Sequence, residues 1–299
     1  GVKVQTRGDV AFSVLHYSDE ALKKANHTWE LRKGNVYAHF DCAQKGIGNG
    51  ALLCIGGAFM RLEIQNLKKN YGKKQALQGV SLDLEPGIYG ILGPNGAGKS
   101  TLMNILTGNL VQSSGQVLLN GKDIRILGAT YHGRLGYCPQ QHSFYPTFTA
   151  EQFLFYMATL QGLSRKQAQE RIDWVLQILS LSEVRRKSIR SFSGGMKQRV
   201  AIARALIQEP KVLLMDEPFG ALDADTKDEL CAKLYQIWLN NPELTIIFVT
   251  HSIFEAIAMG NKFLILENNN KYSLIDNPVV NQKNNLKSPA DSGFVEAWS

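Results

Sequence analysis

The sequence predicts an α/β fold built around a parallel sheet. Three observations support this prediction: strand-like segments alternate with helical patterns, a phosphate-loop motif joins one strand to a helix, and the composition is that of an ordinary globular chain. Strands separated by helical patterns imply parallel pairing. The 299 residues are 44% hydrophobic and 20% charged, which allows one large domain or two smaller ones.

The individual elements follow from periodicity and from capping residues. Residues 1–59 show no long helical period, and a Gly-rich stretch at 46–50 lies near the end of this segment. Capping boxes at Thr149 with Gln152 and at Ser164 with Gln167 predict two helix starts, the second helix reaching about residue 181. Short apolar or alternating runs predict four strands, at 61–67, 87–93, 211–216 and 245–250.

Composition excludes several classes of protein. No apolar run approaches the roughly eighteen residues that span a bilayer, and no signal peptide opens the chain. The four cysteines lie far apart, without the spacing of a disulfide scaffold or a zinc site. The net charge of +7 is scattered, which favours solvated faces over a nucleic-acid surface. We therefore expect a soluble, cytoplasmic protein that binds no nucleic acid.

Residues 93–101, with the sequence GPNGAGKST, match the phosphate-loop pattern G-x-x-x-x-G-K-[ST] between a predicted strand and a predicted helix. The glycines let successive N–H groups point inward, and the following helix directs its positive dipole end at the phosphates. Lys99 is placed to reach the β- and γ-phosphates, and Ser100 to place its hydroxyl on Mg²⁺. Thr101 adds a hydroxyl near the α-phosphate.

Two further segments carry phosphate chemistry. The apolar strand at 212–216 ends in Asp216 and Glu217, and burying unpaired carboxylates without a use would be costly. We assign Mg²⁺ to Asp216, directly or through water, and the role of general base to Glu217. Ser193 and two glycines precede a predicted helix, either as a plain cap or as a second anion site. Two such loops with one lysine indicate one nucleotide held between two copies.

Three more residues are candidates for the site, but each of them, taken alone, is also explained by a purely structural role. Gln140 would be an ordinary exposed glutamine, and His251 a structural histidine at a strand end. Tyr71, in a turn with Asn70 and Gly72, is as well suited to packing as to stacking on a base.

Taken together and in order, these residues resemble the ATP-binding subunit of an ABC transporter over about residues 60–278. The residues at 93–101 match Walker A, Gln140 the Q-loop, 193–196 the signature, Asp216 with Glu217 Walker B, 220–223 the D-loop, and His251 the switch histidine. Tyr71 matches the aromatic that stacks on adenine. Met196 departs from the glutamine frequent in the family, with little expected loss.

The resemblance implies ATP and Mg²⁺ as cofactors and assigns the site residues. The implied catalytic residues are Glu217, His251 and Gln140, and the implied metal ligands are Ser100, Gln140 and Asp216. The implied nucleotide contacts are Tyr71, Gly93, Pro94, Asn95, Gly96, Ala97, Gly98, Lys99, Ser100, Thr101, Ser193, Gly194, Gly195 and Asp223.

The same resemblance implies an architecture and partners. We expect a P-loop NTPase with a RecA-like core, an antiparallel β subdomain that includes residues 61–84, and a helical subdomain over about 143–190. The family works as a homo- or heterodimer, each ATP lying between the Walker A of one copy and the signature of the other. Its membrane-spanning permease partners place such a subunit on the cytoplasmic face of the membrane.

Transport direction stays open. Residues from about 87 to 204 resemble exporter or antibiotic-resistance types, whereas the sequence from Met215 onward resembles importers of nitrate, sulfonate or taurine. Two other functions are alternatives: a non-transport ABC ATPase acting on ribosomes or DNA, and a non-functional chimera.

Residues 1–59 resemble the end of a β-galactosidase of glycoside hydrolase family 2, through Phe12, His27, Leu31, Asp41 and the glycines at 46 and 48. The catalytic glutamates of that family belong to its barrel, so we expect no glycosidase activity. We expect a short β-type N-terminal extension at 1–59, a natural start at Met60, an ATP-binding domain over 60–280 and a polar tail at 281–299.

Overall fold

The computed structural model describes residues 60–220, 222–267 and 271–277, together with five strands before residue 60. The chain divides into two units, Gly1–Phe59 and Met60–Ser299. The predicted tail at 281–299 and Ala221 of the predicted D-loop lie outside the described residues, as do Phe12, Asp41 and the glycines of 46–50.

The first unit contains short antiparallel strands. One pair and one three-stranded sheet in the order β3-β4-β5 are formed. The pair is β1 (Val2–Val4) with β2 (Ser13–Leu15), and the sheet comprises β3 (His27–Arg32), β4 (Asn35–Phe40) and β5 (Leu52–Cys54). These strands agree with the predicted β-type extension.

The second unit begins with an antiparallel sheet in the order β10-β9-β6-β7. Its strands are β6 (Leu62–Tyr71), β7 (Lys74–Leu84), β9 (Ser114–Leu119) and β10 (Lys122–Asp123). The strand predicted at 61–67 continues to Tyr71, because register shifts after Ile64, Leu67 and Lys69 let β6 bend and stay paired. This sheet brings Tyr71 opposite Lys74 at the tip of a hairpin.

A six-stranded sheet in the order β11-β12-β13-β8-β14-β15 forms the centre of the second unit. Its pairs are parallel except β14 with β15, as predicted for an α/β fold. Its strands are β8 (Gly87–Leu92), β11 (Leu135–Cys138), β12 (Val212–Asp216), β13 (Thr245–Val249), β14 (Lys262–Leu266) and β15 (Tyr272–Asp276).

Helices connect and cover these strands. They are α1 (Lys99–Leu106), α2 (Ile124–Leu127), α3 (Ala129–His132), α4 (Ala150–Leu160), α5 (Arg165–Ile178), α6 (Gly194–Leu206), α7 (Ala224–Leu239) and α8 (Ile253–Met259), with 3₁₀ turns at Ser182–Val184 and Ile189–Ser191. Within the described residues, no helix combines the length and apolar character needed to cross a membrane.

Both predicted capping boxes form. The N–H of Gln152 donates to Thr149 Oγ1 at 3.1 Å, and the N–H of Thr149 donates to Gln152 Oε1 at 2.9 Å. Ser164 and Gln167 make the same exchange at the start of α5. This helix ends at Ile178, three residues before the predicted end, because Ser180 adopts a left-handed φ of 53°. The apolar period misled the prediction, since Leu179 and Leu181 are buried beyond the helix.

Two large apolar cores hold the second unit together. One packs α4, α5, α6 and α7 against the six-stranded sheet, with Phe153, Leu176 and Phe248 completely buried. The other fills the space between the two sheets and α1, around Leu62, Leu102 and Leu214. Burial of each such side chain contributes about 1.5–3 kcal/mol. The strand ends that carry the polar motif residues are therefore held on a rigid scaffold.

Candidate functional site

The phosphate loop runs from the end of β8 to α1, which begins at Lys99 with Gly98 as its N-cap. Gly93 and Gly98 have φ angles of 151° and 99°, in the region that favours glycine. A Cβ at Gly93 would meet the carbonyl oxygen of Leu266, and a Cβ at Gly98 that of Ala76. The loop therefore depends on glycine for both its turn and its close packing.

Lys99 lies at the centre of this loop. Lys99 is only 8% exposed. Its Nζ donates to the carbonyl oxygens of Gly93 at 2.5 Å and Pro94 at 2.9 Å. The ammonium group is thus held where the loop curves around it. A buried cation beside a helix N-terminus is a strong attractor for phosphate.

Two carboxylates lie at the end of β12, the neighbour of β13 in the central sheet: Asp216 is its last residue and Glu217 follows it. Burial and the adjacent charge of Glu217 raise the pKa of Asp216, and the nearby Lys99 opposes this rise. Glu217 has a left-handed φ of 47°, and its N–H donates to the carbonyl of Val249 at 3.0 Å. Such a backbone conformation is unfavourable for a residue with a side chain and fixes where the carboxylate points.

Glu217 is also contacted from the strands on both sides of β12. The amide Nε2 of Gln140, which follows β11, donates to Glu217 Oε2 at 2.9 Å. His251, which follows β13, places its Nδ1 3.8 Å from Glu217 Oε1. The carboxyl ends of neighbouring parallel strands thus bring three polar groups together, as in other open α/β sheets.

A cavity of about 400 Å³ joins these groups to the phosphate loop. Ten of the residues predicted from the sequence line it: Tyr71, Asn95, Gly96, Gly98, Lys99, Ser100, Thr101, Gln140, Asp216 and Glu217. The cavity therefore has an aromatic side chain at its mouth, a buried cation at its base, and two carboxylates with an amide along one side.

Three lining residues were not predicted: Lys74, Ala76 and Val249. Lys74 carried a usable signal, since it follows Tyr71 across a two-residue turn that contains Gly72, and a hairpin would place the two opposite each other. Ala76 and Val249 have no chemical signature, because they contribute only apolar walls.

The remaining predicted residues do not line this cavity. Gly93, Pro94 and Ala97 belong to the loop without lining the cavity, and His251 lies beside Glu217, which does line it. Ser193 caps α6 by accepting from the N–H of Met196 at 3.2 Å, and Asp223 caps α7 by accepting from the N–H of Thr226 at 3.0 Å.

Ser193, Gly194, Gly195 and Asp223 form a second group of predicted residues. A Cβ at Gly195 would lie 3.2 Å from Thr226 Cγ2 and 3.4 Å from Leu222 Cδ2, so the start of α6 packs closely against the start of α7. Within one chain, the structure does not bring this group to the phosphate loop.

The donor set suits Mg²⁺. Ser100, Gln140 and Asp216 line the same cavity and offer a hydroxyl, an amide oxygen and one carboxylate. Mg²⁺ binds through one or two carboxylates together with substrate phosphates and water. In the described ranges no three His, Cys, Asp or Glu side chains cluster as a self-sufficient metal cage.

Another cavity of about 310 Å³ lies between α5 and the segment before β13. Both cations that line it are already engaged: Arg171 donates to the carbonyls of Leu206 and Ile207 and pairs with Glu209 at 2.9 Å, and Lys211 pairs with Glu243 at 2.6 Å. Because these donors are used, the 400 Å³ cavity is the better candidate for an anionic ligand.

Comparisons with known proteins agree with this geometry. A family model described as "ABC transporter" matches residues 77–220, and one described as "Beta galactosidase small chain" matches residues 1–55. The taurine import ATP-binding protein TauB of Roseobacter denitrificans is 36% identical over 215 residues, which are 72% of this chain and 77% of that protein.

Two further relatives extend the likeness. The linearmycin resistance ATP-binding protein LnrL of Bacillus subtilis is 35% identical over 207 residues, covering 69% of this chain and 66% of that protein. The structure of cbiO1 from Clostridium perfringens, part of the ABC transporter complex cbiONQ, superimposes with a TM-score of 0.67 at 28% identity. It covers 74% of this chain and 90% of that one.

Proposed function

This chain belongs to the ATP-binding proteins of ABC transporters, and on that premise we propose that it binds and hydrolyses Mg²⁺–ATP in the 400 Å³ cavity to power separate membrane subunits. The observation that carries the proposal is that one cavity combines the phosphate-loop lysine, the Mg²⁺ donor set and Glu217. Phosphoryl transfer depends mainly on positioning and on neutralising charge, and this cavity supplies groups for both.

ATP would lie along the length of the cavity. Tyr71 at its mouth is 49% exposed and is free to stack on the adenine base. The N–H groups of residues 93–101 and the start of α1 would hold the phosphates, with Lys99 on the β- and γ-phosphates and Thr101 near the α-phosphate. Ser100, Gln140 and Asp216 would hold Mg²⁺, which supplies charge neutralisation between the phosphates.

Glu217 is the base in this proposal. It would accept the proton of a water that attacks the γ-phosphorus, and ADP would leave from the opposite side of that phosphorus. Gln140 and His251, which flank Glu217, would orient the water and the γ-phosphate.

A second copy or a related ATP-binding subunit would complete the site. Ser193, Gly194, Gly195 and Asp223 lie outside the cavity of their own chain, and they include a helix start suited to an anion. We assign them to the ATP of the partner chain.

The membrane partners would be permease subunits on whose cytoplasmic side this chain sits. Relatives with import and resistance names both align with it, which suits the exporter-like first half and importer-like second half.

We propose a domain at 60–280 with a helical subdomain at about 143–190, and a tail at 281–299. The model match at 1–55 supports a β-galactosidase origin for residues 1–59, with no role in ATP hydrolysis.

Replacing Lys99 tests nucleotide binding. Lys99→Ala should weaken Mg²⁺–ATP binding about 10- to 100-fold by calorimetry, because a charge-assisted contact contributes about 1.5–3 kcal/mol. Lys166→Ala removes an exposed lysine of α5 and serves as the matched control. Equal affinities in the two variants would remove Lys99 from the site.

Glu217→Gln tests hydrolysis and dimerisation together. Turnover should fall about 10²- to 10⁴-fold while ATP binding persists, because the amide keeps the shape but cannot take the proton. Light scattering should then show an ATP-dependent dimer, and Ser193→Arg in the same background should abolish it. Glu170→Gln, an exposed change on α5, should leave turnover intact. A Glu217→Gln protein that stays monomeric at saturating ATP would argue against the shared site.

A further inference from the structure

Lys69 holds the aromatic ring at the mouth of the cavity. Its Nζ lies over the ring of Tyr71, 5.2 Å from the ring centroid, and donates to the carbonyl oxygen of Val111 at 2.7 Å. Lys69 and Tyr71 are two residues apart on β6, and their side chains meet in this contact although the register of the strand shifts after Lys69. The Val111 carbonyl, from the segment before β9, fixes the ammonium group in this position.

The charge of Lys69 remains available to the ring. Within the described ranges, its partners are a neutral carbonyl and the Tyr71 ring, and no carboxylate pairs with it. A cation over one face of an aromatic ring attracts its electron density. The opposite face of Tyr71 therefore becomes a better stacking surface for an electron-rich base.

The same contact reduces the cost of ordering Tyr71. The side chain is about half exposed near the tip of the β6–β7 hairpin, so an unsupported ring would lose rotamer freedom when a base stacks on it. Because Lys69 already restricts the ring, Tyr71 loses less rotamer freedom when the nucleotide binds.

We propose that Lys69 is a positioning residue for the nucleobase, acting through Tyr71. It orders the ring, makes it electron-poor, and leaves one face open to the cavity. The proposal rests on the ATP site proposed above. It predicts that Lys69 contributes to binding of the base and not to binding of the phosphates.

Two probes separate these contributions. Calorimetry on the full chain compares Mg²⁺–ATP with Mg²⁺–tripolyphosphate, which has the phosphates but no base. Lys69→Met is compared with Lys73→Met, which removes the same charge from the turn of the same hairpin without lining the cavity. Relative to this control, Lys69→Met should raise the Kd for ATP about two- to fivefold and leave the Kd for tripolyphosphate unchanged. Lys69→Arg should restore binding, because a guanidinium also lies over aromatic rings.

A Tyr71→Ala background completes the design. If Lys69 acts through the ring, Lys69→Met should cost nothing further for ATP there. An equal loss for both probes, an unchanged ATP affinity, or the same penalty in the Tyr71→Ala background would each overturn the inference. Failure of the proposed function would appear differently, as absence of ATP binding in the unsubstituted chain.

Discussion

Among single residues, Asp216 combines a requirement of function with a cost in stability. It ends the buried strand β12, and burial with the neighbouring Glu217 raises its pKa. The carboxyl group of Asp216 therefore holds its proton more tightly in the folded state than in the unfolded chain. Stability linked to Asp216 is present below the unfolded pKa of about 3.9 and is lost as pH rises through the folded value.

Asp216→Asn should therefore stabilise the protein at neutral pH while abolishing hydrolysis. Without nucleotide or Mg²⁺, the Tm at pH 7 should rise by about 2–4 °C for each kcal/mol of relieved cost, and the gain should vanish near pH 4. Asp228→Asn, an exposed change on α7, should show no such trend. Calorimetry between pH 4 and 8 measures both. A lower Tm for Asp216→Asn at pH 7 would contradict the prediction.

Single residues were predictable where the chemistry is local. Lys99 and Ser100 follow from a nine-residue motif, and Asp216 with Glu217 from a strand that ends in charge. The role of Lys69 could not be predicted in this way, because its anchor is the carbonyl of Val111, 42 residues away along the chain.

At the scale of elements, an ion pair joins α7 to α8. Lys227 Nζ lies 3.0 Å from Glu255 Oε1, and the Glu255 side chain is only 10% exposed. Glu255 also accepts from the hydroxyl of the buried Thr250, the residue before His251. Asp223 caps α7 one turn before Lys227. The pair therefore links the start of α7 to the loop that carries His251.

Lys227→Met should lower both stability and turnover. It leaves a nearly buried carboxylate unpaired, and a cost of about 1–3 kcal/mol is expected because Lys227 itself is partly exposed. The kcat should fall more than the KM rises, since His251 loses its support while the phosphate loop is untouched. Adding Glu255→Leu should recover part of the Tm by removing the unpaired charge.

The control is Lys211→Met, which breaks the exposed pair of Lys211 with Glu243. Exposed pairs contribute only about 0–1 kcal/mol, so its Tm and kcat should stay close to those of the unsubstituted protein. Equal losses in the Lys211 and Lys227 variants would show that the α7–α8 pair has no special role.

Helices and strands could be predicted where the residues that define them lie close together in the sequence. Both capping boxes lie within four residues and were confirmed. Strands β14 and β15 were missed, although turn residues flank the apolar run of β14 in the sequence, Gly260 with Asn261 before it and three asparagines at 268–270 after it. Contacts between elements were out of reach: His142 Nε2 lies 2.5 Å from Gln198 Oε1 and ties the loop of Gln140 to α6, across 56 positions.

At the scale of the whole molecule, the order of strands decides which motifs share a cavity. The sequence gives the motifs in chain order, but the sheet order β11-β12-β13-β8 places Gln140, Glu217 and His251 on consecutive strand ends. The same topology leaves Ser193 and Asp223 elsewhere, at the paired starts of α6 and α7. That separation agrees with the sequence, in which two anion-type loops share one lysine, and it is the physical basis for the proposed second copy.

The last prediction concerns residues 1–59. The chain divides into the units Gly1–Phe59 and Met60–Ser299, and the residues that line the proposed ATP site all lie in the second unit. A chain of residues 60–299 should therefore keep its Tm within about 2 °C of the full chain and its ATPase rate within about twofold, by calorimetry and phosphate release.

A slightly longer deletion provides the control for that experiment. A chain of residues 72–299 also lacks β6, which pairs with both β7 and β9 and buries Leu62, Ile64 and Leu67. Loss of each of these side chains costs about 2–5 kcal/mol, so this chain should not fold, because the total exceeds the stability of a typical domain. If the chain of residues 60–299 instead loses its yield or melts more than about 5 °C lower, residues 1–59 complete the core of the ATPase.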